Sequence, residues 1–173
     1  MRRDAVFGAA LLILGLAMAI AGLGTMHRQP DRRAGDAFPP LALTALDGMA
    51  TTFDARGKPA IVTVFTTWCV PCREEFAKIA TASSSPWGQN VRFVEIDYNE
   101  PASRVSEFIA AYPRLHATVL LDRSHAVNEL GIYSFPRTVA VAVNGKVTGR
   151  FDGPLGYTDL RALVAGATRR TKD

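Results

Sequence analysis

The sequence predicts an α/β domain, a mixed sheet flanked by helices, with a β-hairpin added in front. Three observations predict it. From Phe38 to Ala167, apolar runs of strand length alternate with helix-forming segments, and after the first hairpin they follow the order β-α-β, α, β-β-α. Two turn dipeptides, Asp47-Gly48 and Asn144-Gly145, sit between short apolar runs and mark hairpins. Both cysteines of the chain fall at one strand-to-helix junction, Trp68-Cys69-Val70-Pro71-Cys72.

Taken in order, the chain opens with Arg2 and Arg3 and then an uncharged run from Val6 to Met26. Its 21 residues, at about 1.5 Å each, would cross a hydrocarbon core, and they exceed the roughly 7 to 15 apolar residues of a secretory signal. Residues 1–26 are therefore expected to be a signal anchor. Ala17-Met18-Ala19 and Ala19-Ile20-Ala21 both fit an A-x-A cleavage site, which keeps a removable signal peptide open. Arg28, Arg32 and Arg33 balance Arg2 and Arg3 across the run, so the positive-inside rule does not choose an orientation. Residues 27–37 are polar, contain a proline and a glycine, and lack apolar periodicity, as expected of a linker. Its basic residues could also rest on anionic lipid headgroups.

The domain proper is expected over residues 38–167. Phe38 to Phe53 supplies the first hairpin, and Asp54 to Pro59 a loop into the central strand, where Ile61, Val62, Val64 and Phe65 are β-branched or aromatic. A helix is expected from Arg73 to about Ala82, broken by Ser83-Ser84-Ser85-Pro86. Val91 to Asp97 alternates as a strand does, and Pro101 to Tyr112 reads as a helix opened by proline, with Val105, Phe108 and Ile109 on one face. Thr118 to Leu121 is a short buried strand, and Ser124 to Leu130 a short helix ended by Gly131. Arg137 to Val143 and Lys146 to Phe151 flank Asn144-Gly145, and Tyr157 to Ala167 closes the domain as an amphipathic helix with Leu160, Leu163 and Val164 inward. Residues 168–173 form a basic tail.

The formal charge of +4 comes from the ends, because the segment between Asp36 and Thr168 balances at twelve basic and twelve acidic residues. A basic nucleic-acid face is therefore not supported, and no nucleic-acid partner is expected.

The cysteines carry the chemistry. With two residues between them and Cys69 at the start of the helix, the sulfurs can close a small disulfide ring. Free N–H groups and the helix dipole there favour a thiolate, and such placement lowers a cysteine pKa from about 8.5 to between roughly 3.5 and 7.5. Cys69 is the expected attacker, and Cys72, further into the helix, would resolve the mixed disulfide. A purely stabilising bridge would gain little, since it closes almost no loop. A zinc site would need two further ligands at matching spacing, and the chain has no second CxxC and no HxxxH. His116 and His125 lack ligand-like spacing to each other or to the cysteines, so no metal ligand is assigned.

These motifs resemble a known group. A Phe-Pro-x-Leu opening at Phe38, Gly57-Lys58-Pro59 before the central strand, WCVPC, and Gly131-Ile132 followed by Pro136-Arg137-Thr138 are similar to those of the TlpA/ResA-like membrane-tethered thiol-disulfide oxidoreductases of the bacterial envelope. The resemblance covers nearly all of Phe38 to Ala165 and implies a thioredoxin fold with an N-terminal β-hairpin. It also implies that Pro136 is cis and faces the CxxC, exposing the backbone of Phe135 for an extended substrate. Phe135 is bulkier than the residue expected there, which argues against broad substrate acceptance. Trp68 is expected to shield the disulfide, and Trp87 to pack. Ordinary thioredoxins carry an aspartate where this chain has Thr63, whereas the resembled group often places a glutamate three residues after the second cysteine, where Glu75 stands. Glu75, on the face of Cys72, is the candidate proton acceptor; a solvated surface glutamate is the alternative.

The function this implies is a periplasmic dithiol reductant, held at the inner membrane by its anchor or free in the periplasm if the anchor is cleaved. It would need no cofactor besides the Cys69-Cys72 pair. Its partners would be envelope proteins with cysteine pairs, in cytochrome c or copper-site assembly, and a membrane thiol-electron donor. An oxidising disulfide-exchange protein is the same chemistry at another potential. A copper-binding assembly protein using the thiolates and a histidine is the third reading, opposed by a cysteine spacing one residue shorter than in copper chaperones of similar fold.

Overall fold

The computed structural model describes residues 34–169; the expected anchor, most of the expected linker and the end of the basic tail lie outside the described residues. Among the described residues no helix is long and apolar enough to cross a membrane. β1 (Leu41–Ala45) and β2 (Ala50–Phe53) form the first hairpin, and β3 (Ala60–Phe65) leads into α1 (Val70–Ser83). β4 (Arg92–Tyr98), α2 (Ala102–Ala110) and β5 (Thr118–Asp122) follow. A 3-10 turn (Ala126–Leu130) then precedes β6 (Arg137–Val141), β7 (Val147–Asp152) and α3 (Tyr157–Thr168).

The strands lie in the order β2-β1-β5-β4-β3-β6-β7. β3 runs parallel to β4 and β4 to β5, while the remaining pairs are antiparallel. This is the thioredoxin fold, with the added hairpin extending the sheet beyond β5 through Thr44 opposite Leu121. Both turn dipeptides do what their residues allow. Gly48 and Gly145 take φ of 90° and 78°, a region glycine enters without steric cost, and Asp47 and Asn144 each accept the amide two residues on through Oδ1.

The structure departs from the sequence expectation at the linker and at the turn after β5. The linker was expected to run to Ala37, but the Gly35 amide donates to the Val147 carbonyl and the Val147 amide to that of Asp36, each at 2.8 Å, so the chain is tied to β7 from Gly35 onward. Polar composition hid this because edge pairing uses backbone groups that every residue has. The helix expected at Ser124 to Leu130 is a 3-10 turn instead. His125 sits left-handed at φ 60°, and the Asp122 carboxylate gathers the amides of Ser124, Ala126 and Val127.

Both faces of the sheet are covered. On one face Val62, Val64, Val94, Ile96 and Val139 pack with the hairpin's Leu41, Leu43 and Phe53 and with Leu130 and Ile132. On the other, Ile61 and Phe93 lie against Ile79 of α1 and Leu160, Leu163 and Val164 of α3. Trp87 packs against this cluster under the Arg161 guanidinium. Towards the C-terminal ends of β3 and β4, Phe65 meets Phe76 of α1 and Val105 and Phe108 of α2, and both cysteines belong to this cluster. Ring contacts at 4.5 Å between Phe65 and Phe76 and 4.9 Å between Phe76 and Phe108 contribute about 0.5–1.5 kcal/mol each beyond area burial and hold α1 where it starts at the redox pair.

Candidate active site

β3 ends at Phe65, and Thr66 to Trp68 carry the chain to Cys69, whose extended backbone makes it the N-cap of α1. α1 therefore begins before the expected Arg73, and both cysteines belong to its first turn. Cys69 and Cys72 are joined in a disulfide, Cα to Cα 5.2 Å. The Cys72 amide points at Cys69 Sγ from 3.2 Å. It is one of the first-turn donors left without an intrahelical partner, and with the helix dipole it stabilises negative charge on that sulfur. Pro71, in the same turn, removes a donor that would have had no partner. Cys72 is fully buried, whereas Cys69 keeps 6% of its surface, so an incoming sulfur meets Cys69.

A groove opens beside Cys69. Trp68, Val70 and Pro71 line one side, and Tyr133, Ser134 and Phe135 the other. The Phe135–Pro136 peptide is cis, the isomer the resemblance implies. Phe135 is wedged between Trp68, edge-on at 6.5 Å, and Tyr98 at 5.1 Å. Trp68 stands 64% exposed, so it forms a wall of the groove and shields the disulfide only in part. Tyr133, at 48% exposure, was not singled out from the sequence, although an aromatic two residues before Phe135 in a loop was the available signal. The segment is strapped from below: the Arg137 guanidinium donates to the Gly131 carbonyl and pairs with Asp152 at 2.5 Å.

Glu75 is not on the solvated side of α1. It is fully buried, accepts the Thr138 hydroxyl at 2.8 Å on Oε1, and accepts the Leu155 amide at 3.1 Å on Oε2. Burial pushes its carboxyl pKa up, opposed by these two hydrogen bonds and by Lys78. The histidines go elsewhere. The His125 ring lies against Tyr98 at 5.2 Å, and the His116 amide binds the Ser83 hydroxyl.

A family model described as Redoxin matches residues 33–164. The chain belongs to the Redoxin family. With the paired cysteines this makes it a thioredoxin-like thiol-disulfide oxidoreductase. The redoxin is 27% identical over 158 residues to the thiol:disulfide interchange protein DsbE of Escherichia coli (strain K12), covering 83% of each chain. It is 25% identical over 128 residues to the thiol-disulfide oxidoreductase ResA of Geobacillus thermodenitrificans (strain NG80-2), covering 73% of this chain and 74% of that one. Among solved structures, a thioredoxin-family thiol:disulfide interchange protein from Chlorobium tepidum TLS superposes with a TM-score of 0.65 at 23% identity, over 79% of this chain and 98% of the other.

Beneath the redox pair the redoxin carries three buried carboxyls that the sequence did not single out. Glu95 lies on β4 directly beside Thr63 of β3, which in turn lies beside Thr138 of β6. The Thr63 and Thr138 hydroxyls are 3.1 Å apart, so a row of polar groups crosses the sheet from Glu95 to Glu75. Glu95 is fully buried and, among the described residues, neither of its oxygens has a hydrogen-bond partner. Burial first, then the Glu75 charge, holds its pKa well above the ordinary value, with the nearby Thr63 hydroxyl opposing. Asp97, further along β4, is also fully buried, and Glu100 nearly so. Burial and the neighbouring Glu100 push the Asp97 pKa up to about 8.

Proposed function

We propose that this redoxin is an envelope dithiol reductant that acts on a small set of proteins carrying cysteine pairs. The observation that carries the reading is the asymmetry of the pair: Cys69 reaches the floor of an aromatic-walled groove and Cys72 is sealed behind it. In the reduced protein the Cys69 thiolate attacks one sulfur of a substrate disulfide. That bond breaks, a Cys69–substrate disulfide forms, and the second substrate sulfur leaves as thiolate. Cys72 then gives up its proton and attacks Cys69 Sγ, which re-forms the intramolecular disulfide and releases the first substrate sulfur. Two electrons have passed to the substrate, and a membrane dithiol donor returns them.

Glu75 is the proposed acceptor of the Cys72 proton. It lies one helical turn along the buried face, and its pKa, raised by burial, brings it closer to that of a thiol. Trp68, Phe135 and Pro136, with Tyr133, are the proposed docking surface. A bulky Phe135 narrows it towards few substrates, in keeping with the apocytochrome c or copper-site cysteines that the resemblance implies. Residues 1–26 would hold the domain at the periplasmic face of the inner membrane.

Cys72→Ser tests the reading. Without the resolving thiol, Cys69 should remain bonded to its partner, and envelope extracts should yield one or a few mixed disulfides that a reductant releases. Capture of many unrelated proteins, or capture through Cys72 in a Cys69→Ser variant but not through Cys69, would overturn it.

A further inference from the structure

The residues just before Cys69 are held from an unexpected side. The Glu100 carboxylate, from the turn between β4 and α2, accepts the Thr67 amide on Oε2 at 2.5 Å and the Thr67 hydroxyl on Oε1 at 2.7 Å. The Thr67 carbonyl takes a hydrogen bond from Arg73 Nε at 3.2 Å, so every polar group of Thr67 is engaged. Glu100 is itself fixed, since its amide donates to Asp97 Oδ1 at 2.8 Å. The other Asp97 oxygen, Oδ2, is buried without a hydrogen-bond partner among the described residues.

We propose that Glu100 is a positioning residue for the redox centre, clamping Thr67 so that the approach to Cys69 has one geometry, and that Asp97 behind it is the proton-holding group that sets the clamp's charge. The proposal rests on Cys69 being the attacking sulfur. While Asp97 holds its proton, the pair carries a single negative charge, which Thr67 and the Arg104 guanidinium, 3.9 Å from Oε1, can satisfy. When that proton is lost, two carboxylates face each other in a buried site, and like charges there repel strongly. Glu100 is pushed off Thr67 and the loop before Cys69 loosens.

The groups bearing on Asp97 can be named element by element. Glu100 raises its pKa and Arg123, after β5, lowers it. β3 and β5 place Phe65 and Leu121 opposite it, neither of them charged. From α2 comes Arg104, on Glu100. α1 contributes Arg73, on Thr67, and the cysteine pair, in one cluster with Phe65. Glu95 lies two residues back along β4. Among the described residues these exposed cations sit on Glu100, on Thr67 or in the loop after β5, and none of them neutralises Asp97 from within the core.

The test uses the full-length protein. In the oxidised form no thiol titrates, so the Thr67 amide resonance can be followed between about pH 6 and 10, a range that brackets the Asp97 titration. It should move with a midpoint near 8, and the movement should vanish in Asp97→Asn, whose amide fits the same space without titrating. In the reduced form, attack of Cys69 on hydroxyethyl disulfide, an uncharged probe, is divided by the thiolate fraction read from absorbance. The rate per thiolate should fall above pH about 8 in the wild type, stay level in Asp97→Asn, and be lower on the order of tenfold in Glu100→Gln, which can accept only one of the two Thr67 donors. Thr67→Val, which removes only the hydroxyl arm, should fall between and decides the matter if Glu100→Gln does not fold. A Thr67 amide indifferent to pH, a titration that survives Asp97→Asn, or wild-type rates in both clamp variants would overturn the proposal. The amide titration does not depend on electron direction or on the substrate, so its failure and that of the reductant reading can be told apart.

Discussion

Replacing Glu95 by glutamine should make the protein more stable at pH 6 while changing nothing at pH 4. Glu95 is fully buried with neither oxygen hydrogen-bonded among the described residues, and its pKa in the folded protein is raised well above 4.5 by burial and by Glu75. In the unfolded chain it returns to about 4.3. The folded protein thus binds the Glu95 proton more tightly, so this group's contribution to stability is intact below the unfolded pKa and declines as pH rises, until the folded pKa is passed. The slope is about 1.4 kcal/mol per pH unit for one proton. At pH 6, some 1.7 units above the unfolded value, that slope allows a loss of at most about 2.3 kcal/mol, and Glu95→Gln keeps whatever part of it wild type gives up. Asp97 and Glu75 slope the same way, but they are common to both proteins and cancel in the difference. Buried glutamine and protonated glutamate both leave polar atoms without partners, which is why the two should agree at low pH. Urea unfolding of the oxidised proteins at several pH values from about 4 to 7 measures the difference directly. Parallel stability curves for the two proteins would mean that Glu95 ionises as freely folded as unfolded, and that the buried row from Glu95 to Glu75 does not exist as described.

Three further outcomes are expected. Glu75→Gln should leave the fold intact and slow release of the mixed disulfide most near neutral pH, where a thiol of pKa about 8.5 is largely protonated; unaltered release rates between about pH 6 and 9 would remove Glu75 as the acceptor. Tyr133→Ala and Trp68→Ala should each weaken reaction with a protein substrate by several-fold while leaving attack on a small disulfide near the wild-type rate, a split that competition kinetics with the two substrates would show or deny. Asp122→Ala strips three amides of their acceptor and should cost roughly 1.5–3 kcal/mol in chemical unfolding, the range for hydrogen bonds to a charged group; a loss under about 0.5 kcal/mol, the size of an ordinary surface change, would mean that the turn after β5 is held by other contacts.

What could be read from the sequence was what local chemistry encodes. Asp47-Gly48 and Asn144-Gly145 announce hairpins because few other residues take those angles, and WCVPC after an apolar run places both cysteines at a helix start. The buried carboxyls could not be read in this way. In Val91 to Asp97 the alternation of apolar and polar residues is the pattern of a strand with one solvated face. β4, however, lies between β3 and β5 with helices over the face that bears Glu95 and Asp97, a fact of sheet order and not of local sequence. Glu75 and its neighbour Glu74 are indistinguishable by composition, and only the packing of α1 on Thr138 and Leu155 puts one inside. Gly35 was missed for a related reason, since pairing with β7 is made by backbone groups that composition does not distinguish.

The reduction potential of the Cys69-Cys72 pair, measured by equilibration with glutathione or a thioredoxin of known potential, bears most directly on whether this redoxin gives or takes electrons. As a reductant it should lie towards the thioredoxin end of the scale, about −270 mV, and no higher than about −200 mV. A value near −120 mV, the strongly oxidising end of that scale, would make the same groove and the same cysteines those of an oxidant.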